Sequence, residues 1–441
     1  MPEKFVIQGM KPLKGTIEIN GCKNAATPIL AASLLTPEPC IVDNLPLVAD
    51  VLKMIELIQN LGASVTWTGK RTIKIEAKDI DPKKINQGLV CKMRSSILLI
   101  GPLLTRLGTL EMPHPGGCFI GARPLDTHLT AFKKMGAEIE IKQLADLAPK
   151  ARNHTASCAE PNFYRFRTKE KLQGREIILR EFSVTATENI LMAATLARGR
   201  TVIKIAATEP HVQDLARFLK KMGAKIKGEG THTIEVMGQK KLHGARHTII
   251  NDPAEAGTFI LMATAARGNI LLKNVPVPYL DLFFEKLQEF GGNYFKILDS
   301  HSVKVEPWKR LKMDRIQALP YPGIPTDLQS AFGVLATQAE GSTLIHDPLY
   351  EGRLKYLEEL NKMGAEIIIC DPHRAIINGP TQLYGAELGP LDLRGGAALI
   401  IAGLIAKGTT IINDIYQIDR GYEKIEERLQ KIGADIRRIK N

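Results

Sequence analysis

The chain has 441 residues, 44% of them hydrophobic and 24% charged, so it is a globular protein of two or three domains and not a disordered chain. Its formal net charge is +12, but the basic residues are spread along the chain and only 5% of residues are aromatic. This disfavours nucleic-acid binding and favours an anionic metabolite. The longest apolar stretch, residues 395–406, is too short and too rich in glycine to cross a bilayer. We therefore expect no nucleic-acid partner and no membrane span.

Residues 1–15 carry charges throughout and lack the apolar core of a signal peptide. The six cysteines are scattered without C-x-x-C spacing: Cys22, Cys40, Cys91, Cys118, Cys158 and Cys370. That spacing argues against a zinc site and a disulfide framework, and it favours a reducing compartment. The sequence therefore predicts a cytoplasmic protein with no bound metal.

The first predicted element is a strand over residues 4–9, and after it two kinds of helix alternate along the chain. Helices of the first kind are amphipathic, end at a glycine suited to a left-handed C-cap, and are followed by an alternating strand. The six glycines are Gly62, Gly136, Gly223, Gly291, Gly364 and Gly433, at intervals of 74, 87, 68, 73 and 69 residues. Such regular spacing indicates a repeated unit.

Helices of the second kind are apolar nearly all round, which predicts burial on every side. In chain order they are AATPILAASLL, SSILLIGPLL, ATENILMAATLA, AGTFILMATAA, LQSAFGVLATQ and GAALIIAGLIA. Six units, each with one buried helix, one surface helix and strands between them, predict an α/β fold.

The two chain ends are expected to pair. Most strands after the glycines are followed by a partner strand, but the last, residues 433–439, has no successor and the first, residues 4–9, has no predecessor. Pairing them predicts a domain of residues 1–22 and 251–441 and another of residues 23–250, each with three units. The longest interval marks a basic insertion over residues 144–171, which we predict to be a surface excursion.

Charged or amide side chains stand near the starts of the buried helices, namely Lys23, Asn24, Arg94, Glu188, Asn189, Glu255, Asp327 and Arg394. If the helices of one domain run parallel, their N-termini converge, and the free N–H groups there attract anions. The cations of this set therefore predict a site for a multiply anionic small molecule, although any one residue alone is explained as well by capping or solvation.

Three further arginines, Arg123, Arg353 and Arg420, fall in loops that follow the strands. Arginine suits bidentate recognition of carboxylates and phosphates, with an ordinary solvated side chain as the alternative. The loop PHPGGCFIGARP, residues 113–124, is rich in glycine and proline and is expected to close as a lid. At a thiol pKa of about 8.5, Cys118 is protonated at neutral pH and suits a general acid. A chance free cysteine in a turn is the alternative.

These residues carry a family resemblance. The segments NGCKNAATPIL, KMRSSILLIGPLL, PGGCFIGARPLDTH, SVTATENI, EAGTF, IPTDLQ, LYEGR, LDLRGGAAL and IDRGYEKIEERL resemble the UDP-N-acetylglucosamine enolpyruvyl transferases (1-carboxyvinyltransferases) of the EPSP synthase superfamily. The resemblance runs from residue 4 to the C-terminus apart from the insertion. It implies two inside-out α/β domains, each of three βα repeats, that close on an interdomain cleft.

The resemblance also implies a reaction without metal or cofactor, in which the enolpyruvyl group of phosphoenolpyruvate passes to the 3′-hydroxyl of UDP-N-acetylglucosamine. Cys118, the thiol that fosfomycin alkylates in this family, protonates the methylene carbon. Asp327 takes the hydroxyl proton, and Asp392 assists the proton transfers. The residues implied to hold the phosphate and carboxylate of phosphoenolpyruvate are Lys23, Arg123 and Arg420, with Arg94 and Arg394 completing the basic cleft. Arg353 is also expected to bind substrate.

The acceptor has its own implied contacts. Asn24 and Asp327 bind the sugar, and Leu349 offers a backbone contact. The residues implied to contact the uridine diphosphate are Arg123, Pro124, Leu125, Asp126, Thr127, Ser183 and Val184. The chain departs from the family pattern at Thr185 and Gly352, which replace glycine and asparagine, and at Glu181 and Pro253, where lysine and arginine are common.

Two other functions are kept as alternatives. One is an enolpyruvyl transferase of the same fold with another acceptor, and the other is a non-catalytic repeat protein that binds anions or RNA. The combination of Lys23, Cys118, Asp327 and Arg420 argues against the second, because a binding protein needs no paired acid and base. The sequence leaves the oligomeric state open.

Overall fold

The computed structural model describes residues 3–117, 120–121, 123–143, 162–291, 294–390 and 392–440. They fall into two compact units. The first unit contains residues 21–117 and 123–250, and the second contains residues 3–20, 120–121 and 251–440.

Small sheets organise both units. Among the described residues there are six sheets, five with four strands and one with three. A representative order is Arg246–Thr248, Cys40–Asp43, Thr72–Glu76 and Ser64–Gly69: a short parallel edge strand, the strand that follows a central helix, and an antiparallel pair. One sheet for each predicted unit confirms the six-repeat α/β architecture.

The remaining strands of the first unit are Thr109–Pro113, Glu138–Gln143, Asn162–Arg167, Glu176–Ile178, Arg200–Lys204, Lys225–Lys227 and Thr233–Met237. The strands of the second unit are Glu3–Gln8, Lys14–Glu18, Asn269–Lys273, Phe295–Asp299, Ser302–Val305, Arg315–Gln317, Gly341–His346, Glu366–Asp371, Arg374–Gly379, Glu387–Leu388, Thr409–Ile412 and Asp435–Lys440.

The central helices pack on one another inside each unit. They are Lys23–Ala32, Ile100–Leu107 (preceded by the 3₁₀ helix Arg94–Leu99), Val184–Ala194, Pro253–Ala265, Thr326–Ala336 and Leu393–Ile405. Every residue of Leu393–Ile405 is buried, as expected for a helix that is apolar on all sides. The predicted burial of this helix is confirmed.

The outer helices carry the amphipathic pattern. They are Ala49–Asn60, Asp126–Lys134, Pro210–Lys221, Asp281–Glu289, Tyr356–Lys362 (preceded by the 3₁₀ helix Arg353–Lys355) and Ile425–Gln430 (preceded by Tyr416–Asp419). Shorter pieces are Ser33–Leu35, Pro82–Lys84, Gln87–Val90 and Val277–Tyr279. All six glycines of the repeat phrase have positive φ, between 92° and 120°, so the predicted glycine C-caps are confirmed.

The predicted pairing of the chain ends is also confirmed. The strand Glu3–Gln8 pairs antiparallel with Asp435–Lys440, and its other edge pairs with Thr409–Ile412. The N-terminus thus supplies the inner strand of the last sheet, a place filled in other repeats by the second strand of a hairpin.

The predicted surface excursion is wrong in its second half. Residues Asn162–Arg167 form the middle strand of the three-stranded sheet, between Thr109–Pro113 and Glu138–Gln143. Tyr164 and Phe166 are buried on one face of this strand because alternate residues point the same way, and Phe163 on the opposite face is buried as well. Residues 144–161 lie outside the described part of the chain.

Within the described ranges, no helix combines the length and apolar character needed to cross a membrane.

Cys22 and Cys40 are buried free thiols and Cys370 is an exposed one. Cys91 is disulfide-bonded, which the scattered cysteine spacing did not predict.

Arg438 ties the chain ends together through three carboxylates. Its guanidinium contacts Glu3 at 2.7 Å, Asp419 at 2.7 Å and Glu426 at 2.6 Å, and it lies over the ring of Phe5. These partners raise the pKa of Arg438 above its usual value, against the effect of partial burial.

We expect Arg438→Gln to lower the free energy of unfolding by about 1–3 kcal/mol, because three carboxylates lose their shared cation. Urea denaturation measures the change. Arg437→Gln is the matched control, since that side chain is 74% exposed, and it should cost less than about 0.5 kcal/mol. Equal losses in both variants would contradict the assignment.

Candidate active site

Lys23 is the first residue of a central helix in the first unit. Its ammonium lies 3.3 Å from the carboxylate of Asp50, which is nearly buried, and its own side chain is 16% exposed. Asn24 follows it and is half-buried. The pairing with Asp50, which the sequence did not indicate, anchors the ammonium at the helix start.

Arg94 anchors the segment that contains Arg123. It begins the 3₁₀ helix Arg94–Leu99, and its guanidinium donates a short hydrogen bond to the carbonyl of Arg123. The same guanidinium lies 3.2 Å from Nε2 of His114. Arg94 therefore fixes the backbone at Arg123, whose own side chain is half-buried.

The two segments predicted to contact the nucleotide are adjacent. Thr127 donates a hydrogen bond from its hydroxyl to Glu181 (3.1 Å), and Nε2 of His128 lies 3.1 Å from the hydroxyl oxygen of Thr185. These two pairs connect one predicted nucleotide segment with the other. The first contains Arg123, Pro124, Leu125 and Asp126, and the second contains Ser183 and Val184. Thr185 and Glu181, two departures from the family pattern, thus each have a partner in the facing segment.

His128 is a site neighbour that sequence reasoning missed, although it stands in the GARPLDTH segment. It is buried, and its Nδ1 lies 3.2 Å from the amide nitrogen of Asn189. Asn189 also accepts from the Gly101 amide (2.8 Å) and donates to the Ile97 carbonyl (2.9 Å). Burial, and then the charge of Arg94, lower the pKa of His128 to about 3, so the imidazole is neutral.

Glu188 and Asn189 do not stand at a helix start. They lie in the second turn of Val184–Ala194, and both are buried. Burial, with the nearby charge of Glu209, raises the pKa of Glu188 well above its usual value. Both side chains lie inside the unit, so the prediction that they mark a helix N-terminus is wrong.

In the second unit, the carboxylate of Asp327 is held between two arginines. Asp327 is the second residue of Thr326–Ala336; its Oδ1 accepts from Arg353 at 2.8 Å and its Oδ2 from Arg394 at 2.9 Å. Both arginines are buried, with 4% and 3% exposure. The alternative of a solvated side chain is therefore wrong for Arg353, and the carboxylate has a fixed orientation.

Asp392 caps the helix Leu393–Ile405. Its Oδ1 accepts from the amides of Arg394 (2.9 Å) and Gly395 (3.1 Å), and Arg353 donates to the same oxygen at 3.2 Å. Asp392 thus links the start of one central helix to the arginine that holds Asp327.

Arg420 is buried and follows the short helix Tyr416–Asp419, where it donates to Gln417 at 3.2 Å. The solvated alternative is wrong for it as well. Leu349 lies in the loop after Gly341–His346, with its amide donating to Asp347 at 3.0 Å. Nearby, the amide of Gly352 donates to the carbonyl of Ile120 at 2.9 Å.

Cys118, the predicted acid, lies outside the described residues. Pro253, another departure from the family pattern, occupies the first position of its helix after the capping Asp252, where proline is well suited. Over the described ranges, no cluster of three or more histidine, cysteine, aspartate or glutamate side chains could hold a metal ion.

Comparison with known proteins decides the family. Residues 7–429 match the sequence profile of EPSP synthase (3-phosphoshikimate 1-carboxyvinyltransferase). The chain belongs to the EPSP synthase family. Among the members of this family, one relative from Finegoldia magna is 44% identical over 438 residues, covering 98% of this chain and 99% of its own, and is named UDP-N-acetylglucosamine 1-carboxyvinyltransferase.

A second relative, UDP-N-acetylglucosamine 1-carboxyvinyltransferase 1 from Caldanaerobacter subterraneus subsp. tengcongensis, is 46% identical over 439 residues, covering 99% of this chain and all of its own. The enolpyruvyl transferase NikO from Streptomyces tendae superposes with a TM-score of 0.85 at 22% identity and 99% coverage of both chains. EPSP synthase from Acinetobacter baumannii gives 0.72 at 19% identity, with both chains fully covered. The superpositions place this chain in the fold of the EPSP synthase family.

We expect stability to fall as pH drops below about 6.5, with His128 contributing up to about 1.4 kcal/mol per pH unit. In the unfolded chain His128 binds a proton near the ordinary histidine pKa of 6.5. In the folded chain its pKa is about 3, so it stays neutral over the pH range between these values. Urea denaturation between about pH 4 and 7 measures the slope.

His128→Asn should reduce that slope by one proton, whereas replacement of the exposed His243 by glutamine leaves His128 in place and should preserve it. An unchanged slope in His128→Asn would refute the neutral buried imidazole.

Proposed function

We propose that this protein transfers the enolpyruvyl group of phosphoenolpyruvate to the 3′-hydroxyl of UDP-N-acetylglucosamine, releasing phosphate. This is the first committed step of peptidoglycan synthesis. The observation that carries the proposal is full-length similarity: relatives bearing this enzyme name are 42–46% identical over nearly the whole chain. Both substrates are cytoplasmic metabolites, so we propose a cytoplasmic location.

The reaction is an addition followed by an elimination. In the addition, the 3′-oxygen bonds to C2 of phosphoenolpyruvate while its proton goes to a base and the methylene carbon gains a proton from an acid. In the elimination, the new methyl group loses a proton and the C–O bond to phosphate breaks. We assign the base to Asp327 and the acid to Cys118, with Asp392 assisting the proton transfers.

The geometry at Asp327 supports the assignment as base. Its oxygens accept N–H groups from Arg353 and Arg394, and an ionised carboxylate has about four lone-pair positions, so these two bonds by themselves do not use up its capacity to accept a proton. The two buried arginines hold the carboxylate in place before substrate arrives, so no reorganisation is needed during proton transfer.

Several of the cations predicted from the sequence suit the anionic substrates. We propose that Lys23, Arg123 and Arg420 bind the phosphate and carboxylate of phosphoenolpyruvate, with Arg394 stabilising the charge that develops. Arg94 contributes by holding the backbone at Arg123. Arg353 already donates to Thr326, Asp327 and Asp392, so we assign it to positioning these groups more than to direct substrate contact.

The acceptor is assigned to the remaining residues. Asn24 and Asp327 would bind the sugar, and the braced segments of Arg123–Thr127 and Ser183–Val184 would bind the uridine diphosphate. The amide of Leu349 is already used by Asp347, which leaves its carbonyl as the backbone group for the substrate.

The proposal is tested by measuring inorganic phosphate released from phosphoenolpyruvate, with and without UDP-N-acetylglucosamine. Dithiothreitol is included, because the proposed acid is a thiol and Cys91 is disulfide-bonded. We expect release only with the sugar nucleotide, and a loss of about 10²-fold or more in Cys118→Ala, the usual scale for a general acid. Cys370→Ala, at an exposed free thiol, is the matched control.

Asp327→Asn should also reduce turnover by about 10²-fold or more, because an amide cannot accept the hydroxyl proton. Asp314→Asn, at a side chain that is 82% exposed, should keep full activity. Activity of Asp327→Asn within about twofold of wild type would rule out Asp327 as the base. If folded wild-type protein releases no phosphate with UDP-N-acetylglucosamine, this sugar nucleotide is not the acceptor.

A further inference from the structure

Asp347 is a fully buried carboxylate outside the set of residues assigned to substrate or chemistry. It follows the strand Gly341–His346, and its solvent exposure is 0%. Its Oδ2 accepts a 2.5 Å hydrogen bond from the hydroxyl of Thr326, and its Oδ1 accepts from the amide of Leu349 at 3.0 Å. Asp347 is thus bonded both to the start of a central helix and to a loop of the candidate site.

Thr326 continues the connection. While its hydroxyl proton goes to Asp347, its oxygen accepts from Nε of Arg353 at 3.0 Å. The two terminal nitrogens of Arg353 then donate to Asp392 (3.2 Å) and Asp327 (2.8 Å). A line of hydrogen bonds therefore runs from the buried Asp347 to the proposed base.

The charges along this line are mutually compensating. Burial alone would lower the pKa of Arg353, but Asp327, Asp392 and Asp347 outweigh it and raise that pKa. Arg394 supplies a second cation to Asp327, and the ring of Tyr350 lies 5.7 Å from the Arg353 guanidinium carbon. Three carboxylates and two arginines thus lie together, and all but Asp327, whose side chain is 25% exposed, are buried, where each polar group needs its partner.

We infer that Asp347 and Thr326 are positioning residues for the Asp327 base: they fix Nε of Arg353, and through that guanidinium they set where the Asp327 carboxylate points. The inference rests on the proposed function. In this line the side chain of Thr326 acts on Asp327 through Arg353.

Positioning predicts an effect on turnover more than on binding. The base acts as the proton leaves the hydroxyl, so a small shift of its carboxylate affects the chemical step, and displacements of about 1 Å can cost about 10²-fold. Removal of the Thr326 hydroxyl leaves Nε of Arg353 without this acceptor and Oδ2 of Asp347 without this donor. We expect Arg353 to rotate and Asp327 to move with it.

The test compares steady-state phosphate release by Thr326→Val, Thr326→Ser and Asp347→Asn. Valine keeps the shape of threonine without the hydroxyl, and serine keeps the hydroxyl. We expect kcat to fall by about 10-fold or more in Thr326→Val and Asp347→Asn, with both KM values within about threefold of wild type. Thr326→Ser should recover kcat to within about threefold of wild type.

Thr343→Val is the matched control. It likewise removes a threonine hydroxyl, here a buried one that donates to the Met313 carbonyl in the same unit and has no bond to the Asp347 line. We expect its melting temperature to fall while its kcat stays within about twofold of wild type. If Thr326→Val does not fold, Thr326→Ala, which leaves more space, takes its place.

Unchanged kcat in folded Thr326→Val would overturn the inference while leaving the proposed function standing. So would a rise in KM alone, which indicates binding, or an equal loss in Thr326→Ser, which indicates shape. Wild-type protein that releases no phosphate with UDP-N-acetylglucosamine would remove the proposed function and the inference together.

Discussion

The rest of the structure depends on the burial of the central helices. Because Leu393–Ile405 and its counterparts are surrounded by other elements, most side chains in their middles are apolar, with Glu188 and Asn189 among the buried polar exceptions. Charged residues are accommodated where such a helix begins, next to unsatisfied N–H groups. Lys23, Arg94, Asp327 and Arg394 all occupy the first two positions of their helices. The packing that stabilises each unit therefore also decides where chemistry can be placed.

The two units handle their charges differently. In the second unit the two arginines bonded to Asp327, Arg353 and Arg394, are buried, and each is hydrogen-bonded to a carboxylate and a hydroxyl, since an unpaired buried charge is costly. Such a network is rigid and suits a base that must be held in one orientation. In the first unit Lys23 and Arg123 are only half-buried, which suits groups that exchange water for an anionic ligand.

The departures from the family pattern make sense once partners are known. Thr185 replaces a glycine, yet its hydroxyl lies beside a neutral buried histidine, His128, in the facing segment. Glu181 stands where a lysine is common and accepts from Thr127 in the same facing segment. Both side chains therefore add a connection between the two facing segments. The two added hydrogen bonds hold these segments in a fixed relative position, which suits the binding of an acceptor in one orientation.

The sequence by itself determined the six repeats, the glycine C-caps, the pairing of the chain ends and the family, because periodicity, cap chemistry and motifs are local properties. Tertiary structure alone decided the rest. Residues 162–167 fall in the segment that the repeat spacing marks as an insertion, so only the sheet shows them to be its middle strand. Asp347, Thr326 and Arg353 are connected by side-chain bonds across some 20 to 30 residues of chain. Such contacts depend on how helices and loops pack, and no local pattern records them.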